Sequence, residues 1–214
     1  MKSFVRMAAG MALALTAMLA NAQTQTPDTG WYIGGSIGQS QLKFDDGSLQ
    51  VAGATSQSIS KDESDTAWKI FAGYRFGKYV AIEGGWTDLG KFSATTTVTA
   101  PASGSSTITF KSSGPHIEGV GLLPLGNFTL FGKAGLMYTM TKSSGSATGA
   151  VVFNGNPDQK SDEVNFKAGI GAGYDFTRNF GVRVEAEQVF SVGDKDKTGE
   201  GDVRLFTVGA VFRF

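Results

Sequence analysis

Eleven ionisable residues fall at alternate positions of successive short stretches whose other positions are apolar. The cations are Lys69, Arg75, Lys133, Lys167, Arg183 and Arg213. The anions are Glu83, Glu118, Asp175, Glu185 and Glu187. Charges held on one enclosed face are costly unless paired, so a ratio of six to five predicts a cross-linked ionic network. Such a network could gate ion movement or plug a lumen. The single histidine, His116, lies close to Ser112 and Ser113, and a His–Ser pair could activate a nucleophile. A lone histidine beside a polar loop reads more simply as a solvated strand end. Asp194-Lys195-Asp196-Lys197-Thr198-Gly199 opens like a calcium loop, but the twelfth position is Leu205 rather than an acid. Gly169, Gly171 and Gly173 have the look of a phosphate-binding loop, yet no helix follows them. They read better as room for neighbouring side chains. No metal site, cofactor or catalytic set is expected, and the chain has no cysteine.

The elements that must position these residues are strands, because the periodicity is two. Trp31, Ile33 and Ile37 share a face of the first. In the second, Trp68, Ile70, Ala72, Tyr74 and Phe76 oppose Lys69, Phe71, Gly73 and Arg75. Val80 to Thr87 sets Glu83 against Val80, Ile82, Gly84 and Trp86. A fourth strand runs from about His116 to Leu123, and a fifth alternates Phe128, Leu130, Ala134, Leu136 and Tyr138 with Thr129, Phe131, Lys133 and Met137. The sixth spans Val164 to Phe176, the seventh follows Thr177–Phe180, and the eighth is the C-terminal run ending on Phe212-Arg213-Phe214.

Three connections are short, around Lys78, Gly126 and Asn179. Four are long and polar: Phe44–Asp65, Gly90–Gly114, Thr141–Glu163 and Gly193–Gly201. Strict alternation of short and long predicts an all-β, eight-stranded antiparallel up-and-down barrel with tight turns at one end and four mobile loops at the other. Counting back from a turn at Pro124–Asn127 sets Glu118 opposite Lys133, a favourable cross-strand pair.

A water-soluble barrel of the lipocalin type would bury the apolar face instead. Aromatics at the strand ends favour a membrane. Trp31, Phe76, Phe128, Phe176, Phe180 and Phe214 group on the turn side, and Trp68, Trp86, Tyr138, Phe166 and Phe190 toward the loops, as two interfacial girdles would require.

The N-terminus fits export. Lys2 and Arg6 precede the apolar run Met7–Leu19 and an A-x-A-like site, Ala20-Asn21-Ala22. Residues 1–22 are expected to be a cleaved signal peptide and 23–214 a single barrel domain. No later stretch approaches the roughly 18 consecutive apolar residues of a transmembrane helix. The formal net charge is zero, which argues against nucleic acid as a partner.

Trp31-Tyr32-x-Gly34, Ala72-Gly73-Tyr74-Arg75-Phe76, Tyr79 to Trp86, Leu89-Gly90, Arg183-Val184-Glu185 and Phe212-Arg213-Phe214 together resemble the OmpA-type eight-stranded transmembrane barrel. The resemblance covers the strands and not the loops. It implies a bacterial outer-membrane location, contact with the lipid bilayer and lipopolysaccharide, and delivery by an assembly machinery that reads a terminal aromatic signal, here Phe212 and Phe214. It also implies a gate-like ion pair between Glu83 and Arg183. A second lumen pair of that family does not carry over, since Val120 and Gly173 stand at its positions. Glu118, Lys133, Lys167 and Glu185 are the other lumen candidates. Many relatives add a periplasmic peptidoglycan-binding domain; with Phe214 as the last residue, cell-wall tethering is not expected. Three functions follow: a surface scaffold presenting its loops to an unknown partner, a narrow porin-like channel, and, last, a surface enzyme dependent on His116.

Overall fold

In a computed structural model of the chain, residues 29–42, 56–100, 102–149, 158–193 and 201–214 are described. The expected signal peptide and the calcium-like hexapeptide from Asp194 lie outside them. The strands are β1 (Thr29–Leu42), β2 (Ser56–Asp62), β3 (Ser64–Phe76), β4 (Val80–Ala100), β5 (Gly104–Leu125), β6 (Phe128–Gly149), β7 (Gln159–Asp175), β8 (Phe180–Val192) and β9 (Gly201–Arg213). β2 and β3 are one stave interrupted at Glu63, and both pair with β4. Eight staves therefore form the ring, every neighbour antiparallel, with β1 zipped to β9 and β4 to β5. The last residue helps shut it, since the Phe214 amide donates to the Trp31 carbonyl at 3.1 Å. Closure removes the sheet edges that an open sheet would expose.

The faces decide the environment. Ile170 is 69% exposed, Trp31 62% and Ile70 57%, whereas Lys69, Lys167 and Glu118 are at most 1% exposed. A soluble barrel would invert this pattern; an apolar outside around a charged inside requires lipid around it. At the turn end, Trp31–Tyr74, Tyr74–Phe76, Phe128–Tyr174 and Tyr174–Phe176 meet edge to face at 4.8–5.1 Å. Phe180 stacks on Phe176, and Phe212 packs against Phe214. Tyr74 and Tyr174 belong to this girdle beside the aromatics expected from sequence. Toward the loops stand Trp68, Trp86, Tyr138 and the Phe166–Phe190 pair.

Two expectations are corrected. The long polar connections are not all loops. β4 runs on to Ala100 and β5 begins at Gly104, so most of Gly90–Gly114 is a two-stranded ribbon; β6 likewise continues to Gly149, and residues 56–65 are mostly strand. The register of the β5–β6 hairpin also differs. Gly126, at φ +67°, and Asn127 alone make the turn, so Leu125 pairs with Phe128 and Glu118 faces Gly135, not Lys133.

Candidate functional site

The inward parity of β3, β4, β5, β6, β7 and β8 brings four cations and four anions into one layer: Lys69, Lys133, Lys167 and Arg183 with Glu83, Glu118, Glu185 and Glu187. Lys133 is the hub. Its Nζ lies 2.6 Å from Glu187 Oε1, 2.8 Å from Glu185, 3.3 Å from Glu118 and 3.6 Å from Glu83. So the Lys133–Glu118 contact exists after all, made diagonally rather than across a rung. Lys69 bridges Glu185 and Glu187, and Lys167 bridges Glu118 and Glu187. Arg183 grips Glu83 with two parallel bonds, Nη1 to Oε1 at 2.6 Å and Nη2 to Oε2 at 3.2 Å, and its Nε reaches Glu185. The Tyr32 hydroxyl donates to Glu83 Oε1 at 3.0 Å, and the Arg183 guanidinium lies 3.6 Å over the Phe71 ring.

Glycine makes this crowding possible. A Cβ on Gly171 would stand 2.3 Å from Phe131 Cζ, and one on Gly34 would stand 2.2 Å from Phe71 Cζ. The glycine run on β7 is therefore clearance for lumen side chains.

Apolar residues close both ends of the charged layer. On the loop side, Ala67, Leu89, Phe92, Met137, Val189, Val192, Val203 and Leu205 form a buried cluster. On the turn side, Tyr32, Phe71, Ala81, Val120 and Val211 form another, with Leu122 and Phe131 against it. Sequence reasoning missed both, although apolar residues on the inward parity were the available signal. Below the second cluster, Arg213 Nη1 pairs with Asp175 at 2.5 Å, and Arg75 donates to the carbonyls of Gly77 and Lys78. These two arginines therefore serve the turn end and not the central layer.

His116 and Ser112 do not form a dyad. His116 Nδ1 is 3.1 Å from Thr87 Oγ1 and Nε2 is 3.7 Å from Glu118, while the Ser112 hydroxyl bonds Thr141.

Residues 10–214 match the family model described as the outer membrane protein beta-barrel domain. The chain belongs to this outer-membrane β-barrel family. Its location is accordingly the bacterial outer membrane, in a bilayer that also carries lipopolysaccharide. Within the family, it is 26% identical over 212 residues to outer membrane protein A of Yersinia pseudotuberculosis, covering 97% of this chain and 55% of that protein. The barrel thus spans about half of that relative. A protein of Coxiella burnetii is 26% identical over 218 residues, covering 88% of this chain and 87% of its own. Among solved structures, the N-terminal β-barrel domain of Pseudomonas aeruginosa OprF superposes with a TM-score of 0.50 at 11% identity, covering 88% of this chain and all of that one. That likeness extends to the fold.

Proposed function

We propose that this barrel is a non-conducting scaffold that holds a rigid loop-side structure at the cell surface for envelope integrity, adhesion or recognition. The layered lumen carries this reading. Four cations and four anions pair with one another between two buried apolar clusters, which argues against an open path for an ion. A reaction is not part of the proposal, because Thr87 and Thr141 engage the groups that a hydrolytic dyad would need. The terminal Phe212 and Phe214 serve in this reading as the segment offered to the assembly machinery.

One observation favours a second reading, a narrow gated channel. A pocket of about 50 Å³ at the turn end is lined by Arg213, Thr129, Glu83 and Arg183, which supports reading that ion pair as a stopper. Single-channel recording on the refolded protein in a planar bilayer separates the two, comparing the natural chain with Glu83→Ala. Silence from both supports the scaffold. Steady small openings that change on substitution replace it with the channel.

A further inference from the structure

Among the described residues, a side-chain hydrogen bond crosses every joint between paired strands except one. Ser40 Oγ reaches the Asp65 carbonyl between β1 and β3, and Thr99 donates to Ser56 between β4 and β2. The Asp65 carboxylate accepts from the Lys91 amide between β3 and β4. Thr87 meets His116 across β4–β5, Ser112 meets Thr141 across β5–β6, and Thr139 meets Asn165 across β6–β7. Asn165 also donates to the Ser191 carbonyl on β8, and Gln188 on β8 donates to Asp202 on β9. Between β9 and β1 no side-chain hydrogen bond or ion pair is made among the described residues. That joint rests on its main-chain ladder, continuous from Tyr32–Arg213 to Leu42–Val203, and on apolar contact at its two ends.

The side chains of these two strands bond away from each other. β1 is tied to β3 and β4, through Ser40 and through the Tyr32 hydroxyl on Glu83. β9 is tied to the opposite flank. Arg213 pairs with Asp175, the Asn179 side-chain amide donates to the Arg213 carbonyl at 2.7 Å, and Asp202 accepts from Gln188 and the Ser191 amide. The ionic layer does not join them either. Lys69 on β3 bridges directly to Glu185 and Glu187 on β8, past β1 and β9, neither of which supplies a charge to the layer. At this height the inner face of the joint is small: Gly34 opposite Val211, Ser36 opposite Gly209 and Gly38 opposite Thr207. Among the described residues, the buried hydroxyls of Ser36 and Thr207 have no hydrogen-bond partner.

Proteins open locally where the fewest interactions must break. We propose that β1–β9 is a lateral door, the joint at which the finished ring parts first while the ionic layer keeps β3 to β8 together. Parting there breaks main-chain bonds and some apolar contact, whereas parting elsewhere also breaks a side-chain bond. Each flank keeps its own ties as it swings, β1 with β3 and β4, β9 with β7 and β8. Lipid cannot satisfy bare main-chain groups, so the open form is short-lived. The door is independent of whether the lumen conducts.

The chain has no cysteine, so a single engineered disulfide can lock one joint at a time. Gly35→Cys with Ala210→Cys locks β1–β9 on the lipid face, where a Cβ on Gly35 meets nothing nearer than 3.6 Å. Ala134→Cys with Ala168→Cys locks β6–β7 on the same face. The measurement is the rate of unfolding in urea from lipid vesicles, for each variant oxidised and reduced. A cross-link slows unfolding only where its joint has parted in the transition state. Oxidation should slow the β1–β9 variant by about tenfold or more and leave the β6–β7 variant within about twofold. A charge pair gives a second reading without a cross-link. Gln41 stands opposite Arg204, so Gln41→Glu should slow unfolding and Gln41→Lys hasten it, each by about twofold. Equal slowing by the two disulfides, or none by the first, overturns the inference. So does a Gln41→Lys variant that unfolds no faster than the natural chain.

Discussion

Glu83 and Glu118 stand directly opposite each other on β4 and β5, two carboxylates sharing one rung. Lys133 Nζ, 3.3 Å from one and 3.6 Å from the other, reconciles them while also holding Glu185 and Glu187. Lys133→Met leaves four buried carboxylates with three cations. Breaking a buried pair by removing one partner costs about 3–5 kcal/mol. Equilibrium unfolding in urea from lipid vesicles should show a loss of that order, with Lys133→Arg losing clearly less. An unchanged midpoint for the methionine variant would mean that the network contributes little.

Ile170 sits midway between Tyr174 at the turn girdle and Phe166 at the loop girdle and is 69% exposed. In water, a charge would be welcome there. In a bilayer, Ile170→Arg should cost roughly 2–4 kcal/mol. The same unfolding measurement checks it, and Phe176→Arg at the interface should cost much less.

Gly171→Ala places a methyl group 2.3 Å from Phe131 Cζ and 2.6 Å from the Val184 carbonyl. Overpacking of this kind costs about 1–3 kcal/mol. Phe131→Leu in the same chain should recover part of that loss, because one of the two clashes is with the ring. Additive losses in the double variant would place the strain in the backbone alone.

Phe214 contributes its amide to the closure at Trp31 through the main chain, so that closing bond does not depend on its ring. Phe214→Ala should leave the refolded barrel close to natural stability while lowering the amount assembled in the outer membrane of living cells, read as folded protein in membrane fractions. Equal assembly would remove the terminal aromatic as a signal.

The strands within the membrane were legible because lipid enforces a strict alternation, and Ile70, Ile82, Leu130, Ile170 and Val208 obey it. The inner layer was legible in outline because the cations and anions occupy the opposite parity. Register was not. One wrong choice between a four-residue and a two-residue turn at Gly126 displaced Glu118 from Gly135 to Lys133. The outer ribbon was hidden by its chemistry. Threonine is β-branched and favours strands, yet it counts as polar on either face, so Thr95, Thr96, Thr97, Thr107 and Thr109 showed no alternation. Only pairing reveals that Phe92, Ala94, Thr96 and Val98 turn inward while Thr95 and Thr97 turn out.

The paired lengths of β4 and β5 beyond the girdle have a consequence for encounters at the cell surface. From Lys91 to Ala100 the strand covers about 30 Å of contour, and the ladder to β5 runs along it as far as Val98. A flexible tether of that length would have to be ordered by whatever grasped it, at a conformational cost of roughly 1–2 kcal/mol per residue. A fin already locked into a sheet asks nothing of the kind. Its grip on a ligand is set by matching surfaces from the first contact, and its reach is fixed rather than fluctuating.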